Sequence, residues 1–304
     1  MMSVSSALGR ELGDDLSSLV RAVDAPLAET TPVYGGTYPG YQPNAFRLRF
    51  ADGRVLKGRR FDTQAQAETV EYVSRCLDYR GLPRVVARRG TALLMEWVDG
   101  QPLSAGNCTP YVLRRCGALQ ALIHCQTLPP ESSYRPSRAI ESWQASLERT
   151  LGELVECAVL DPSTARDARA IAREYAPRRC PLGFIYGDFC ADNIVLRDSG
   201  EVCFVDNETL SVHPADYDVA RTWYRWPMPR AAREVYLSGY REHRGLETFL
   251  AHFPYWAIAA IVDGARFRQR RGGAAAAAVP VSRLRALMAY LECGGPAADA
   301  VFVS

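Results

Sequence analysis

A short predicted hairpin late in the chain is surrounded by side chains that are typical of phosphoryl transfer. Asp188 is followed five residues later by Asn193, and Asp206 lies thirteen residues beyond Asn193. The apolar runs Ile194–Leu196 and Val202–Val205 flank an Asp-Ser-Gly turn, so the three polar groups are expected to meet at the open end of a hairpin. One carboxylate can accept the proton of an attacking hydroxyl, while an amide oxygen and a second carboxylate hold magnesium against phosphates. Asp and Asn also cap turns that have no catalytic role, which is the alternative interpretation.

Lys57 is the only lysine among 36 Lys and Arg residues, and it lies in a predicted strand, Arg54–Phe61. An ammonium is a compact charge that fits between phosphate groups and a carboxylate, whereas a guanidinium is a flat fork suited to bidentate pairing. A lysine kept in an arginine-rich chain therefore indicates a position that requires an ammonium. Chance retention is the alternative, and Lys57 by itself does not decide between them.

The hairpin segment resembles the catalytic and metal-binding loops of the aminoglycoside phosphotransferase and choline kinase group of protein-kinase-like enzymes. The resemblance covers most of the chain and implies an α+β, bilobal fold with a small, mainly antiparallel β lobe that contains one inserted helix, and a larger, mainly helical lobe. It implies that Asp188 is the catalytic base, that Asn193 and Asp206 bind Mg²⁺, and that Asp218 is a structural acid. Tyr186 stands where these families usually have histidine, a departure expected to affect loop geometry more than chemistry.

The same resemblance implies that Lys57 contacts the α- and β-phosphates of ATP and pairs with an acid on the following helix. Glu68 and Glu71 both qualify by their distance along the chain. Glu68 is preferred because of its separation from the Gly-Leu-Pro turn at residues 81–83, and Glu71 stays open as the alternative.

Two backbone segments complete the predicted nucleotide site. Gly36 and Gly40 lie between the first two predicted strands, where glycines let backbone amides approach phosphates. A plain hairpin turn is the alternative for this segment. The resemblance implies that backbone groups of Glu96 and Val98, where the last strand of the small lobe ends, face adenine; an ordinary strand end is the alternative there.

The elements that must position these residues change in type along the chain. Residues 1–98 are predicted to form the nucleotide-binding lobe, with a leading amphipathic helix, five strands and a helix from Thr63 to Tyr79 that Asp62 caps. Residues 99–304 show mainly helical periodicity, which starts at Pro110, and are predicted to form the catalytic and substrate-binding lobe. The Gly-Gly-Ala stretch from Gly272 to Ala278 is predicted to be a joint between terminal helices, although its alanine run can equally be helical.

Composition excludes several classes of protein. A net charge of +2 over 304 residues gives no general case for nucleic-acid binding. No window reaches the roughly 18 apolar residues of a membrane span, and the acidic start of the chain is unlike a signal peptide. Nine scattered cysteines without a Cys-x-x-Cys pair indicate free thiols, so we expect a cytoplasmic protein. The sequence does not define an oligomeric state.

The predicted function is ATP- and Mg²⁺-dependent phosphorylation of a hydroxyl on a small molecule. Asp192, Glu208 and Glu242 could meet a cationic acceptor such as an aminoglycoside, another antibiotic or an amino alcohol, while a sugar or nucleoside is equally allowed. Arg221–Trp226 could line the acceptor pocket or simply anchor aromatic residues in the core. A nucleotide-binding pseudokinase is the alternative function. A protein kinase is disfavoured, because no Ala-Pro-Glu element follows Asp206.

Overall fold

The computed structural model describes residues 12–33, 43–78, 81–127, 137–138 and 140–303. The strands, in chain order, are β1 (Leu27–Pro32), β2 (Ala45–Phe50), β3 (Val55–Arg60), β4 (Val85–Arg89), β5 (Ala92–Glu96), β6 (Gln101–Pro102), β7 (Ser137–Arg138), β8 (Cys180–Ile185), β9 (Ile194–Leu196), β10 (Val202–Phe204) and β11 (Ser211–Pro214). The helices are α1 (Asp14–Arg21), α2 (Gln64–Cys76), α3 (Pro110–His124), α4 (Ile140–Glu156), α5 (Pro162–Glu174), α6 (Ala215–Arg225), α7 (Arg230–Arg241), α8 (Glu247–Ala251), α9 (Phe253–Ala276) and α10 (Ala278–Glu292).

Backbone contacts divide the chain into two units. Residues 1–103 and 192–211 form the first unit, and residues 104–191 and 212–304 form the second. The lobe boundary predicted after residue 98 would place 192–211 in the second lobe. This segment instead joins the first unit because its hairpin strand β9 pairs with β6, and Phe204 N donates a hydrogen bond to Gly81 O (2.8 Å).

The first unit is built on an antiparallel sheet with the strand order β1-β2-β3-β5-β4. Helix α1 covers one face of this sheet. Apolar side chains of α1, and of Leu12 just before it, pack with those of β2 and β5 in one cluster, comprising Leu12, Leu16, Leu19, Val20, Phe46, Leu48, Phe50, Ala92 and Leu94. This is the mainly antiparallel sheet expected from the sequence, and burial of the cluster is its main source of stability.

Strand β3 presents its two faces to different surroundings. A Cβ at Gly58 would lie within 3.1 Å of Leu16 and Leu48, so residue 58 faces the core beneath α1. Because side chains alternate along a strand, Lys57 and Arg59 share the opposite face. Both are buried although both are cationic.

Helix α2 begins one residue later than the sequence pattern suggested. Thr63 is the N-cap, because its hydroxyl accepts from Gln66 N while the Gln66 side chain accepts from Thr63 N. This reciprocal capping box corrects the prediction that Asp62 caps the helix. The helix ends at Cys76, three residues short of the predicted Tyr79.

The second unit is mainly helical, as its periodicity predicts, with one three-stranded sheet in the order β11-β8-β7. Thr109 caps α3 by accepting from Val112 N, and Pro110 occupies the first turn, so the predicted start of this helix at Pro110 is confirmed. Helices α3 and α7 approach closely. A Cβ at Gly117 would collide with the Tyr236 carbonyl oxygen, and one at Gly239 would collide with that of Arg114.

Helix α9 is broken near its end. Gly272 and Gly273 have non-helical backbone angles, and Gly273 has a φ of 70°, in the region that favours glycine. The predicted joint at the Gly-Gly-Ala stretch is therefore a kink. No single helix in the part of the chain that the structure describes is long and apolar enough to span a membrane; α9 and α10 meet that criterion only as a pair bent by 103°.

Candidate active site

In the first unit, two buried cations lie next to one carboxylate. The Lys57 ammonium donates a hydrogen bond to Val205 O (2.6 Å) and lies 3.9 Å from Asp206 Oδ1. Arg59 Nη1 lies 3.8 Å from the same carboxylate oxygen. Strand β3 provides both cations, and the segment that follows β10 provides the acid. This arrangement places the Lys57 ammonium next to the Asp206 carboxylate.

Burial lowers the pKa of Lys57 to about 8, because desolvation penalises the ammonium. The Asp206 carboxylate opposes that shift, and the nearby Arg59 guanidinium adds to it. A pKa of about 8 leaves Lys57 mostly charged at neutral pH. It is therefore a desolvated ammonium next to an acid, the kind of group that binds an anion strongly.

The predicted ion pair between Lys57 and Glu68 is not formed in the structure. Glu68 lies 3.5 Å from Arg88 Nη1 and accepts from Gln64, and Glu71 lies 2.7 Å from Arg88 Nε. Both candidate acids therefore face β4, an edge strand two positions from β3 in the sheet. Asp206 is the acid next to Lys57, which corrects the predicted partner.

The hairpin brings the two proposed metal ligands to neighbouring positions. In the β9–β10 pair, Ile194 lies opposite Phe204, and Val205 N donates to Asn193 O (3.0 Å) just beyond the last paired residues. Asn193 and Asp206 thus lie at the open end of the hairpin, where the sequence predicted them. The side chain of Asp206 is one-third exposed (33%), so it has room for a ligand.

The donor set at this end of the hairpin fits Mg²⁺. Among the described residues, no group of three or more His, Cys, Asp or Glu side chains forms a metal cage of its own. Mg²⁺ prefers oxygen ligands and commonly takes one or two from the protein, with phosphates and water supplying the others. The amide oxygen of Asn193 and the carboxylate of Asp206 would be sufficient for a metal bound together with a nucleotide.

Of the remaining residues predicted to contact the nucleotide, the structure describes Glu96 and Val98. Glu96 ends β5, where its backbone N donates to Arg84 O and its carboxylate pairs with Arg197 (2.8 Å). Val98 lies in the irregular stretch beyond β5, and its backbone forms no hydrogen bond within the described ranges. Gly36 and Gly40 lie outside the described residues.

In the second unit, a tight turn after β8 carries the proposed base, Asp188. Gly187 has a φ of 80°, a conformation that glycine adopts without steric cost. The Asp218 carboxylate accepts from Tyr186 N (3.2 Å) and from Gly187 N (2.8 Å), which fixes the backbone immediately before Asp188. The expected structural role of Asp218 is thus visible as two backbone hydrogen bonds.

A buried polar network holds Asp218 in turn. His124 Nε2 lies 3.0 Å from Asp218 Oδ2, Gln120 Nε2 donates to the same oxygen, and His124 Nδ1 lies 2.7 Å from the Tyr240 hydroxyl. Burial alone would raise the pKa of Asp218, but hydrogen bonds from His124, Gln120 and the backbone outweigh it and lower the pKa below its usual value. The carboxylate is therefore ionised.

Tyr186 occupies the position before Gly187 where the resembling families usually have histidine, and its aromatic ring is buried in the core. The residue is fully buried, and its ring packs edge-on against Phe189 with centroids 5.8 Å apart. The backbone of the loop is fixed by Asp218, whichever side chain stands at residue 186. The change from histidine to Tyr186 therefore affects the side-chain packing beneath the turn, and the backbone of the turn is held by Asp218.

Helix α6 contributes two further loop contacts that the sequence pattern did not reveal. Arg221 Nε donates to Gly187 O (2.7 Å). Arg225 Nε lies 2.8 Å from Asp188 Oδ1, and Arg225 Nη2 donates to Asp188 Oδ2 (3.2 Å). Asp218, Arg221 and Arg225 are spaced three and four residues apart, so they lie on one face of the helix. This spacing is visible in the sequence, and it could have predicted that the two arginines face the same loop as Asp218.

The interpretation that the stretch from Arg221 to Trp226 anchors aromatic residues in the core is confirmed for two of its residues. Trp223 and Tyr224 are buried and pack in the core, and the Trp223 ring contacts Phe253 edge-on. Arg221 and Arg225 instead face the turn that carries Asp188. Residues three and four apart share one face of a helix, so this segment packs aromatic side chains in the core on one face and contacts the Asp188 turn with the other.

Together, an antiparallel sheet with a buried lysine, a polar hairpin and a helical unit with an acid-anchored loop define the class of protein-kinase-like phosphotransferases. Residues 38–251 match the model of the phosphotransferase enzyme family, APH. The chain belongs to this family, and it is a phosphotransferase enzyme of the small-molecule kinase type. A search of curated protein sequences finds no significant match.

Solved structures show the same fold at low sequence identity. A choline/ethanolamine kinase family protein from Mesorhizobium loti has a TM-score of 0.65 at 13% identity, with 98% of this chain and 99% of that chain covered. A choline kinase from Cryptosporidium parvum has a TM-score of 0.64 at 11% identity, with coverage of 98% and 99%. An aminoglycoside phosphotransferase from Alicyclobacillus acidocaldarius has a TM-score of 0.60 at 13% identity, with coverage of 91% and 95%.

Proposed function

We propose that this enzyme transfers the γ-phosphoryl group of ATP, bound with Mg²⁺, to a hydroxyl of a small molecule. The observation that carries the proposal is the buried Lys57 ammonium next to Asp206, at the open end of the hairpin that also carries Asn193. A desolvated cation next to hard oxygen ligands is suited to a polyphosphate and its metal.

In this mechanism each residue has one task. The Lys57 ammonium binds phosphate oxygens of the nucleotide, and the Asn193 amide oxygen and the Asp206 carboxylate hold the metal. Mg²⁺, when bound, neutralises charge on the phosphates and on the departing ADP. Backbone groups of Glu96 and Val98 face the adenine base. These contacts place the γ-phosphorus for in-line attack, so most of the rate enhancement comes from positioning and electrostatics.

Asp188 acts on the acceptor. Its carboxylate accepts a hydrogen bond from the attacking hydroxyl and takes the proton as the oxygen bonds to the γ-phosphorus. The bond from the γ-phosphorus to the bridging oxygen breaks, which yields ADP, a phosphate monoester and the proton on Asp188. Asp218 holds the turn at residues 186 and 187, so the carboxylate is positioned before the acceptor arrives.

The acceptor is a small molecule with a free hydroxyl, and the classes to compare are antibiotics, amino alcohols, sugars and hydroxy acids. Solved structures with this fold include a choline kinase and an aminoglycoside phosphotransferase. Of the acids expected to meet a cationic acceptor, Glu242 is paired with Arg114 in the structure. Asp192 is exposed, and the side chain of Glu208 lies outside the described part of the chain.

The test is an acceptor screen that measures ADP release from ATP in the presence of Mg²⁺. We expect ADP release that depends on one class of hydroxyl compound and stops when Mg²⁺ is chelated. Binding of ATP with Mg²⁺, shown by thermal stabilisation, with no turnover across all four acceptor classes would support a pseudokinase instead.

A further inference from the structure

The proposed catalytic base is held by an arginine from the adjacent helix. Arg225 ends α6, and its guanidinium contacts both carboxylate oxygens of Asp188, at 2.8 and 3.2 Å. Arg225 Nη2 also approaches Cys190 Sγ (3.8 Å). The Nη2–Oδ2 contact is a charge-assisted hydrogen bond, which is stronger than a neutral one, and the Nε–Oδ1 contact is a close ion pair without hydrogen-bond geometry. The base of this enzyme is therefore held by a counter-ion in the structure.

This pair conflicts with what a catalytic base must do. The carboxylate has to accept the hydrogen bond of an incoming hydroxyl, yet Oδ2 already accepts one from Arg225 and Oδ1 lies 2.8 Å from the same guanidinium in an ion pair. A group that competes for the guanidinium would release the carboxylate. An anion on the acceptor is such a group, because it would exchange one charge-assisted pair for another.

Arg225 has a donor available for this exchange. Its Nη1 has no hydrogen-bond or ion-pair partner among the residues that the structure describes. The side chain is 31% exposed, so a small molecule can reach it. Arg221, one turn earlier, donates from Nε to Gly187 O and from Nη1 to the Tyr217 hydroxyl (3.4 Å), so it contacts the backbone of the turn and not the Asp188 carboxylate.

Within the second unit, two acids linked to this turn are already paired, whereas Asp192, which belongs to the first unit, is exposed. Asp218 is fully buried in its network with His124 and Gln120. Asp263 accepts from the Tyr217 hydroxyl (2.7 Å) and pairs with Arg266 (3.3 Å). The partly exposed charge next to the base in the second unit is thus the Arg225 cation, which repels an ammonium on an acceptor and attracts a carboxylate or phosphate.

We propose that Arg225 selects the acceptor: the substrate carries an anionic group near the hydroxyl that is phosphorylated, and binding of that group to Arg225 frees Asp188. This inference rests on the proposed function and narrows it to hydroxy acids, sugar acids and related anionic alcohols. A permanent ion pair that only braces the loop is the competing explanation for the contact.

The experiment compares acceptors that differ in charge and little else. Glycerate is paired with glycerol, glucuronate with glucose, and glycolate with 2-aminoethanol, and kcat/KM is measured for each with saturating Mg²⁺ and ATP. We expect the anionic member to be preferred by about tenfold or more, in line with the strength of a charged hydrogen bond. Arg225→Gln should remove that preference mainly by raising KM for the anionic acceptor, and Arg225→Lys should keep part of it.

Arg241→Gln is the matched control, because Arg241 also ends a helix, α7, and is exposed. Its acceptor preference should equal that of the wild type, and thermal unfolding of each variant checks that it is folded. If Arg225→Gln fails to fold, the comparison of wild type with Arg225→Lys still applies.

Two outcomes overturn the inference in different ways. If wild-type enzyme phosphorylates the neutral or cationic members as well as the anionic ones, Arg225 does not select the acceptor while the proposed function stands. If it phosphorylates no acceptor of any charge while binding ATP, the proposed function fails and the inference fails with it.

Discussion

At the scale of single residues, the most specific result concerns Lys57 and its partner. An ammonium that is buried beside Asp206 and donates to Val205 O occupies little space. We predict that Lys57→Arg, which keeps the charge, lowers kcat/KM for ATP by at least about tenfold, because the larger, planar guanidinium does not fit this geometry. Steady-state kinetics with varied ATP measure the effect. Activity equal to that of the wild type would mean that any cation serves at this position.

The acids of α2 give a prediction that departs from the family pattern. Glu68 and Glu71 pair with Arg88 rather than with Lys57. We therefore expect Glu68→Gln and Glu71→Gln to change the KM for ATP less than about twofold, since neither acid contacts Lys57 and partly exposed pairs such as those with Arg88 contribute only about 0–1 kcal/mol. A large rise in KM for either variant would show that the acid turns to Lys57 when nucleotide binds.

At the scale of secondary-structure elements, the tight approach of α3 and α7 supports the network that fixes the Asp188 turn. His124 and Gln120 come from α3, and Tyr240 from α7. A methyl group at Gly117 would collide with the backbone of α7. We predict that Gly117→Ala destabilises the protein by about 1–3 kcal/mol, which thermal unfolding would show as a lower Tm.

Gly152 in α4 is the matched control for that substitution. A Cβ there has open space around it, so Gly152→Ala should leave the Tm unchanged or raise it slightly, by the gain in helix propensity. Equal Tm values for the two alanine variants would show that α3 and α7 can separate at no cost.

At the scale of the whole molecule, periodicity and turn residues predicted the element types well. The antiparallel sheet, the hairpin and the start of α3 follow from local signals, because alternation, turn residues and caps act over a few residues. The single lobe boundary predicted after residue 98 put the segment 192–211 in the second lobe, whereas strand pairing places it in the first unit. Pairing between strands that are far apart in the chain, such as β6 and β9, cannot be predicted from the pattern of neighbouring residues.

For the candidate site, the sequence predicted individual residues but not their side-chain partners. Lys57, Asn193 and Asp206 could be picked out from residue type and spacing, and in the structure all three belong to the first unit. The choice of Glu68 as partner of Lys57 was wrong, because distance along the chain does not say which way a helix turns its acids, and these turn toward Arg88. Arg225 was missed as a partner of Asp188, since 37 residues separate the two in the sequence.

The most direct test of the central claim compares two substitutions of the same kind. Asp188→Asn removes the proposed base, and Asp198→Asn makes the same change at an exposed position in the turn of the hairpin. With the acceptor found in the screen, we predict that Asp188→Asn lowers kcat by at least about a hundredfold, in line with the loss of general base catalysis, and that binding of ATP with Mg²⁺ is retained. Asp198→Asn should behave as the wild type. A kcat for Asp188→Asn within about twofold of the wild-type value would contradict the assignment of Asp188 as the base.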